Sequence, residues 1–144
     1  MGLLFPAPLR GRAALGIFAV RAIVGLAYIF HGSMKMHDPV GWMGPHGFAP
    51  PWLQAIVAIA EFFGGFALIL GLLTPLVAAV LSVDMLTAIF AFHIPAGGHF
   101  VGGRASFEVP LVYLIVMVAL LLAGPGEYSI DARVFKRRSL SGAG

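Results

Sequence analysis

Three charged side chains, Arg21, Glu61 and Asp84, stand inside apolar runs that are each long enough to cross a bilayer. A spanning helix needs about 20 predominantly apolar residues. A charge in hydrocarbon costs roughly 2.5–3.5 kcal/mol even on the gentler insertion scales, so such groups face protein or water and are paired. The runs must therefore assemble into a bundle that turns these three residues inward. Composition points the same way: 60% of the 144 residues are hydrophobic and only 10% are charged, too apolar for a soluble domain of this size.

The expected fold is all-α: one polytopic domain over residues 1–144, a bundle of four transmembrane helices. The first helix is expected over about 13–33 and the second, after Pro50-Pro51, over about 52–72. The third starts at Pro75, with Thr74 as its N-cap and proline at the tolerated first position, and ends near His93. The fourth covers about 108–123 and stops at Gly124-Pro125-Gly126. Buried β-strands do not fit, because the runs are too long and lack alternation.

Basic residues set an orientation. Arg10 and Arg12 precede the first helix, and Arg133, Lys136, Arg137 and Arg138 follow the fourth. The positive-inside rule then places both termini in the cytoplasm. The turn Gly71–Thr74 becomes a short cytoplasmic hairpin, and the loops Met36–Pro51 and Ile94–Phe107 face outward. The net charge of +3, gathered at the two ends, serves this orientation and not nucleic-acid binding. A cleaved leader is not expected, because the first run is long, carries Arg21 and lacks an A-x-A-like site. The chain has no cysteine, which removes disulfides, thiolate nucleophiles and cysteine-ligated iron–sulfur clusters.

Depth along the helices suggests a midplane ion-pair cluster. At about 1.5 Å per residue, Arg21 lies roughly 12 Å, Asp84 roughly 14 Å and Glu61 roughly 17 Å from the cytoplasmic ends of their helices. One guanidinium among two carboxylates leaves one negative charge over, so one acid is expected to carry a proton. Arg21, Gly25, Tyr28, Gly32 and Lys35 form one stripe of the first helix; Gln54, Ala58, Glu61, Gly65 and Leu68 form one of the second. Small residues on such stripes let helices approach closely. The cluster serves either helix register alone or a proton path or polar pocket.

The outer end holds all five histidines: His31, His37, His46, His93 and His99, joined by Lys35, Asp38, Arg104 and Glu108. No spacing among them is a metal motif. A bis-histidine haem on His31 and His93 meets an objection: His93 is nine residues from Asp84, about half a turn around a helix, so both would not point into the bundle. Proton exchange at a quinone headgroup suits histidines that titrate near neutral pH, with Tyr28, His31, Lys35, His93 and Glu108 as the candidate ligand and proton site.

Several motifs resemble the DoxX family of small four-helix bacterial membrane proteins, over nearly everything from Arg21 to Asp131. His31-Gly32-Ser33-Met34-Lys35 is similar to the family's H-G-x-x-K. Ala60-Glu61-Phe62-Phe63-Gly64-Gly65 with Leu70-Gly71-Leu72-Leu73-Thr74 resembles its E-x-x-G-G…L-G-L-L-T hairpin. Ala88-Ile89-Phe90 with His93, and Glu108 after a glycine-rich loop, resemble its third loop. Gly124-Pro125-Gly126-Glu127-Tyr128-Ser129-Ile130-Asp131 resembles the closing G-P-G-x-Y-S-L-D. The resemblance carries the family's recurrent polar positions onto Arg21, Lys35, Glu61, His93 and Glu108. The chain departs in Arg104-Ala105-Ser106-Phe107, where Gly-Gly-Tyr is expected, and in Glu127, which often has a basic counterpart. Asp84 is not among the recurrent positions.

The resemblance implies a bacterial inner-membrane, multi-pass protein linked with redox complexes. The first functional expectation is a membrane subunit of a quinone-linked oxidoreductase. With no haem, flavin, metal or iron–sulfur motif evident, its electrons come from a protein partner. The second is a non-catalytic anchor or assembly subunit of a larger complex. The third is a small proton-coupled transporter. A site shared between copies in a homo-oligomer, or with a partner, suits a bundle with little internal room.

Overall fold

The computed structural model describes residues 9–45, 47–103 and 105–134. It holds α1 (Gly11–Lys35), α2 (Pro51–Leu70), α3 (Thr74–His93) and α4 (Glu108–Ala123), with no strand among the described residues. The first three are long and apolar enough to cross a membrane. The fourth is apolar but spans 16 residues, about 24 Å against a hydrocarbon core of about 30 Å.

Local chemistry sets the helix ends. Pro51 occupies the first turn of α2 after an extended Pro50, where its missing N–H is no loss. Gly71 ends α2 in the left-handed region at φ 65°, and the Leu72 N–H donates to the Ala67 carbonyl at 2.9 Å, the closure of a Schellman motif. The start of α3 differs from expectation. The capping residue is Leu73, itself at φ 50°, and it makes no side-chain cap. Thr74 lies inside the helix with its hydroxyl buried and unpartnered. Its expected role falls to Asp131, whose carboxylate accepts from Leu73 N at 2.8 Å and Thr74 N at 2.7 Å. An ionised acceptor bonds more strongly than a hydroxyl and complements the helix dipole.

The segment after α4 is therefore a clasp. Besides capping α3, Asp131 donates its own N–H to the Gly71 carbonyl at 3.0 Å. Glu127 accepts from Gly11 N at 2.7 Å and donates its N–H to the Leu9 carbonyl. The start of α1, the segment 127–131 and the α2–α3 turn thus meet at one end of the bundle, the clasp end. The described parts of the two longer loops, 36–50 and 94–107, lie at the other, the loop end.

Inside, α1 packs on α2 and α3 on α4, with the α2–α3 hairpin joining the pairs. Glycines let α1 and α2 cross closely: a Cβ on Gly25 or Gly65 would strike the other's carbonyl oxygen, and one on Gly32 would strike the Phe62 backbone. Tyr28, Leu68, Leu81, Met117 and Leu120 are fully buried. So are Arg21 and Thr74, with Gln54 and Glu61 nearly so, whereas Ile23, Phe30, Val83, Phe90 and Leu122 are exposed. Polar side chains inside and large apolar ones outside is the arrangement for a hydrocarbon solvent; the chain is a multi-pass membrane protein.

Candidate functional site at the loop end

The expected cluster of Arg21 with Glu61 and Asp84 does not form. Arg21 is directed toward the clasp end, where Nη2 donates to the Tyr128 carbonyl at 2.6 Å. Gly71 lies so close to the guanidinium that a Cβ there would collide with it. An arginine side chain reaches a full turn along the bundle, and here its partners are the Tyr128 carbonyl and the nearby charge of Asp131. Depth along the axis placed the three charges at similar levels; side-chain direction separated them.

Glu61 takes a different cation. Lys35 Nζ lies 2.7 Å from Glu61 Oε1. The lysine is held from its other side by Trp42, whose ring centroid is 4.3 Å from the ammonium, a cation–π contact. Trp42 is itself fixed, because its indole N–H donates to the Gln54 carbonyl at 3.0 Å. Gln54 bridges the rest of the loop: its Oε1 accepts from Met43 N, and its Nε2 donates to the Ala49 carbonyl. A buried glutamine in the first turn of α2 thereby sets the position of the loop that covers Lys35. No motif announces this chain of contacts, although Gln54 does sit on the inward stripe.

Asp84 approaches Glu61 from α3, close enough for the two carboxyls to share a hydrogen bond. Tyr28 on α1 lies within the field of both acids, with its hydroxyl buried and unpartnered and its ring 5.3 Å from that of Tyr113 on α4.

Beside these groups lies a cavity of about 370 Å³, within the range of small-ligand sites. Tyr28, His31, Lys35, Glu61 and His93 line it, with Ser106 and Tyr113 and an apolar wall of Met85, Ala88, Val109 and Pro110. Four of the five expected site residues thus share one cavity inside a single chain. The fifth does not: Glu108 is exposed at the start of α4, and its N–H donates to Ser106 Oγ at 3.2 Å. His37 is outside the lining, its Nδ1 2.8 Å from the Ser33 carbonyl oxygen. His99 is also outside it, and His46 and Arg104 lie outside the described residues.

His93 reaches the cavity because α3 is not a regular helix throughout. Ala88–His93 is π-helical, and the Ile94 N–H donates to the Ile89 carbonyl at 2.9 Å. Such a turn takes up one extra residue. The nine residues from Asp84 to His93 then count as eight, about 80° around the axis instead of about 180°. The geometric objection to both facing inward is removed. His93 Nδ1 is 3.1 Å from the Ala105 carbonyl oxygen, which anchors the ring. Among the described residues, no three His, Asp or Glu side chains are grouped to hold a metal ion.

The chemistry available is that of a half-apolar pocket. An aromatic wall and an apolar wall would hold a flat ring. An ammonium, two imidazoles and a carboxyl offer donors and exchangeable protons at its edges.

Comparison with known proteins adds a family. The DoxX family model matches residues 16–94. An uncharacterised membrane protein of Mycobacterium tuberculosis is 30% identical over 153 residues, covering 96% of this chain and 93% of its own. The inner membrane protein YqjF of Escherichia coli is 30% identical over 128 residues, 85% of this chain and 95% of its own. A Bacillus subtilis protein provisionally named an oxidoreductase, CatD, is 28% identical over 125 residues, 85% of this chain and 89% of its own. No solved structure matches the chain.

Proposed function

Because the chain belongs to the DoxX family of membrane proteins, we propose that it is an inner-membrane subunit of a quinone-linked oxidoreductase. The loop-end cavity takes the quinone headgroup. In this reading α4 completes a four-span bundle, with both termini and the clasp in the cytoplasm and the cavity near the outer face. The basic residues flanking the bundle support that orientation, and the name of the Escherichia coli relative supports the membrane. The oxidoreductase name of the Bacillus subtilis relative supports the chemistry.

The observation that carries the reading is the cavity lining. Tyr28, Tyr113 and the apolar wall offer flat surfaces for a ring, and Lys35 and the two imidazoles offer donors for its carbonyl oxygens. Quinone reduction takes two electrons and two protons and converts both carbonyls to hydroxyls. The electrons come from a redox-active partner protein. This chain binds and orients the ring, excludes water and supplies protons from its titratable lining. His31 is exposed at the cavity mouth, and His93 lies deeper.

Trp42, packed on Lys35, is a built-in reporter. In lipid nanodiscs, a short-chain benzoquinone is expected to quench tryptophan emission saturably. His93→Phe and His31→Phe should each weaken the apparent affinity about tenfold, near 1.4 kcal/mol. Unchanged titrations in both variants would remove the quinone reading and leave the anchor role.

A further inference from the structure

Lys35, Glu61 and Asp84 form a cluster whose charges do not balance. Lys35 Nζ bonds Glu61 Oε1 at 2.7 Å, and Asp84 lies against the same glutamate. Counted as ionised groups, these give one positive and two negative charges. Arg21 does not supply the second cation, since its guanidinium is engaged at the clasp end. Glu61 is 3% exposed, and an uncompensated charge at such depth is costly.

The unsatisfied atoms say what is missing. Glu61 Oε2 and Asp84 Oδ2 are both buried without a hydrogen-bond partner, and so is the Tyr28 hydroxyl. Tyr28 is 1% exposed and lies on a separate helix within the field of both acids. Two ionised carboxylates only accept, so neither can satisfy the other. A proton on one of them cancels the excess charge and supplies the donor that the pair of carboxyls lacks. The Tyr28 hydroxyl stays buried and without a hydrogen-bond partner nearby.

We propose that Glu61 and Asp84 hold one exchangeable proton between them, and that this pair is the proton store of the loop-end cavity. Glu61 lines the cavity and is its near member; Asp84 lies behind it and is outside the lining. When the partner protein delivers an electron to a bound headgroup and the headgroup oxygen takes the proton, two ionised carboxylates remain, with Lys35 paired to Glu61. The next proton enters from the mouth through His31 or His93. Tyr113 on α4 is the remaining titratable group facing the cavity. Only the identity of the proton's recipient rests on the quinone reading; the shared proton does not.

Infrared spectroscopy of the full-length protein in nanodiscs at neutral pH tests this without any ligand. A protonated-carboxyl stretch is expected above the amide and carboxylate bands, shifting down in D2O. It should disappear in Asp84→Asn and in Glu61→Gln and persist in Asp38→Asn, whose aspartate is exposed. Carbon-13 labelling of the wild-type aspartate and glutamate carboxyls should move the band, which covers variants that fail to fold. A wild-type spectrum without the band, or a band that survives both dyad substitutions, overturns the proposal. Loss of tryptophan quenching with the band intact sinks only the quinone reading; a missing band with quenching intact sinks only the proton store.

Discussion

Lys35 on α1 and Glu61 on α2 meet at 2.7 Å, with the glutamate buried and the lysine side chain 21% exposed. The pair fixes the register of the α1–α2 contact on the loop side of the Gly25–Gly65 crossing. Replacing Lys35 by Met keeps the stem but strands the carboxylate. The expected loss of stability is near the lower end of roughly 3–5 kcal/mol, because the lysine is only partly buried. Glu61→Gln in the same chain should recover most of it. Thermal unfolding of the two single variants and the double variant in detergent checks this as a cycle; additive losses would show that the pair is not coupled.

Gln54 holds the loop that covers Lys35 through three hydrogen bonds to residues 42, 43 and 49. Two of them use its side-chain amide, so Gln54→Leu removes those and leaves the indole bond to its carbonyl. The expected cost is about 1–3 kcal/mol. Amide exchange should rise across 36–50, with a red shift of Trp42 emission, while α3 and α4 keep their protection. Uniform loosening of the whole bundle would mean that the loop is not a separate unit.

Much of this was legible in the sequence. Bilayer-length runs give the helices, and the two four-three stripes give the buried faces of α1 and α2, because helical periodicity is a local property. The loop-end residues Tyr28, His31, Lys35 and His93 also gather as their positions near helix ends imply. What escaped was set by side-chain direction and by distant partners. Arg21 turns toward Tyr128, over 100 residues away in sequence, and Thr74 yields its capping role to Asp131. The π turn at Ala88–His93 has no sequence marker, so the register of His93 could be read only from the fold.

The clasp makes opposite predictions for two glycines of one hairpin. Gly71 has φ 65°, and a Cβ there would strike the Arg21 guanidinium and Ser129. Gly71→Ala should cost the left-handed penalty of roughly 1–2 kcal/mol plus the displacement of a buried arginine. Gly64 is helical, and its Cβ would meet Val77 Cγ1 at an ordinary 3.4 Å. Gly64→Ala should therefore be neutral or gain up to about 1 kcal/mol of helix propensity. Melting temperatures in detergent decide it. Equal losses at both positions would argue against the tight seat of Arg21.

The π turn predicts which single-residue deletion α3 tolerates. The extra residue it takes up can be removed without moving the turns on either side, so Ala91, exposed on the outer surface, is expendable. Its deletion should leave a continuous α-helix, with Asp84 and His93 still about 80° apart. Benzoquinone quenching should hold within about threefold, well under 1 kcal/mol. Deleting Val80 has no such slack to draw on. It rotates everything before it by about 100° relative to Asp84, pulling Ala78 out of the core it shares with Leu81 and Met85. That variant should lose its cooperative melt. Should both deletions fail alike, the π turn would be contributing contacts of its own and not merely absorbing a residue.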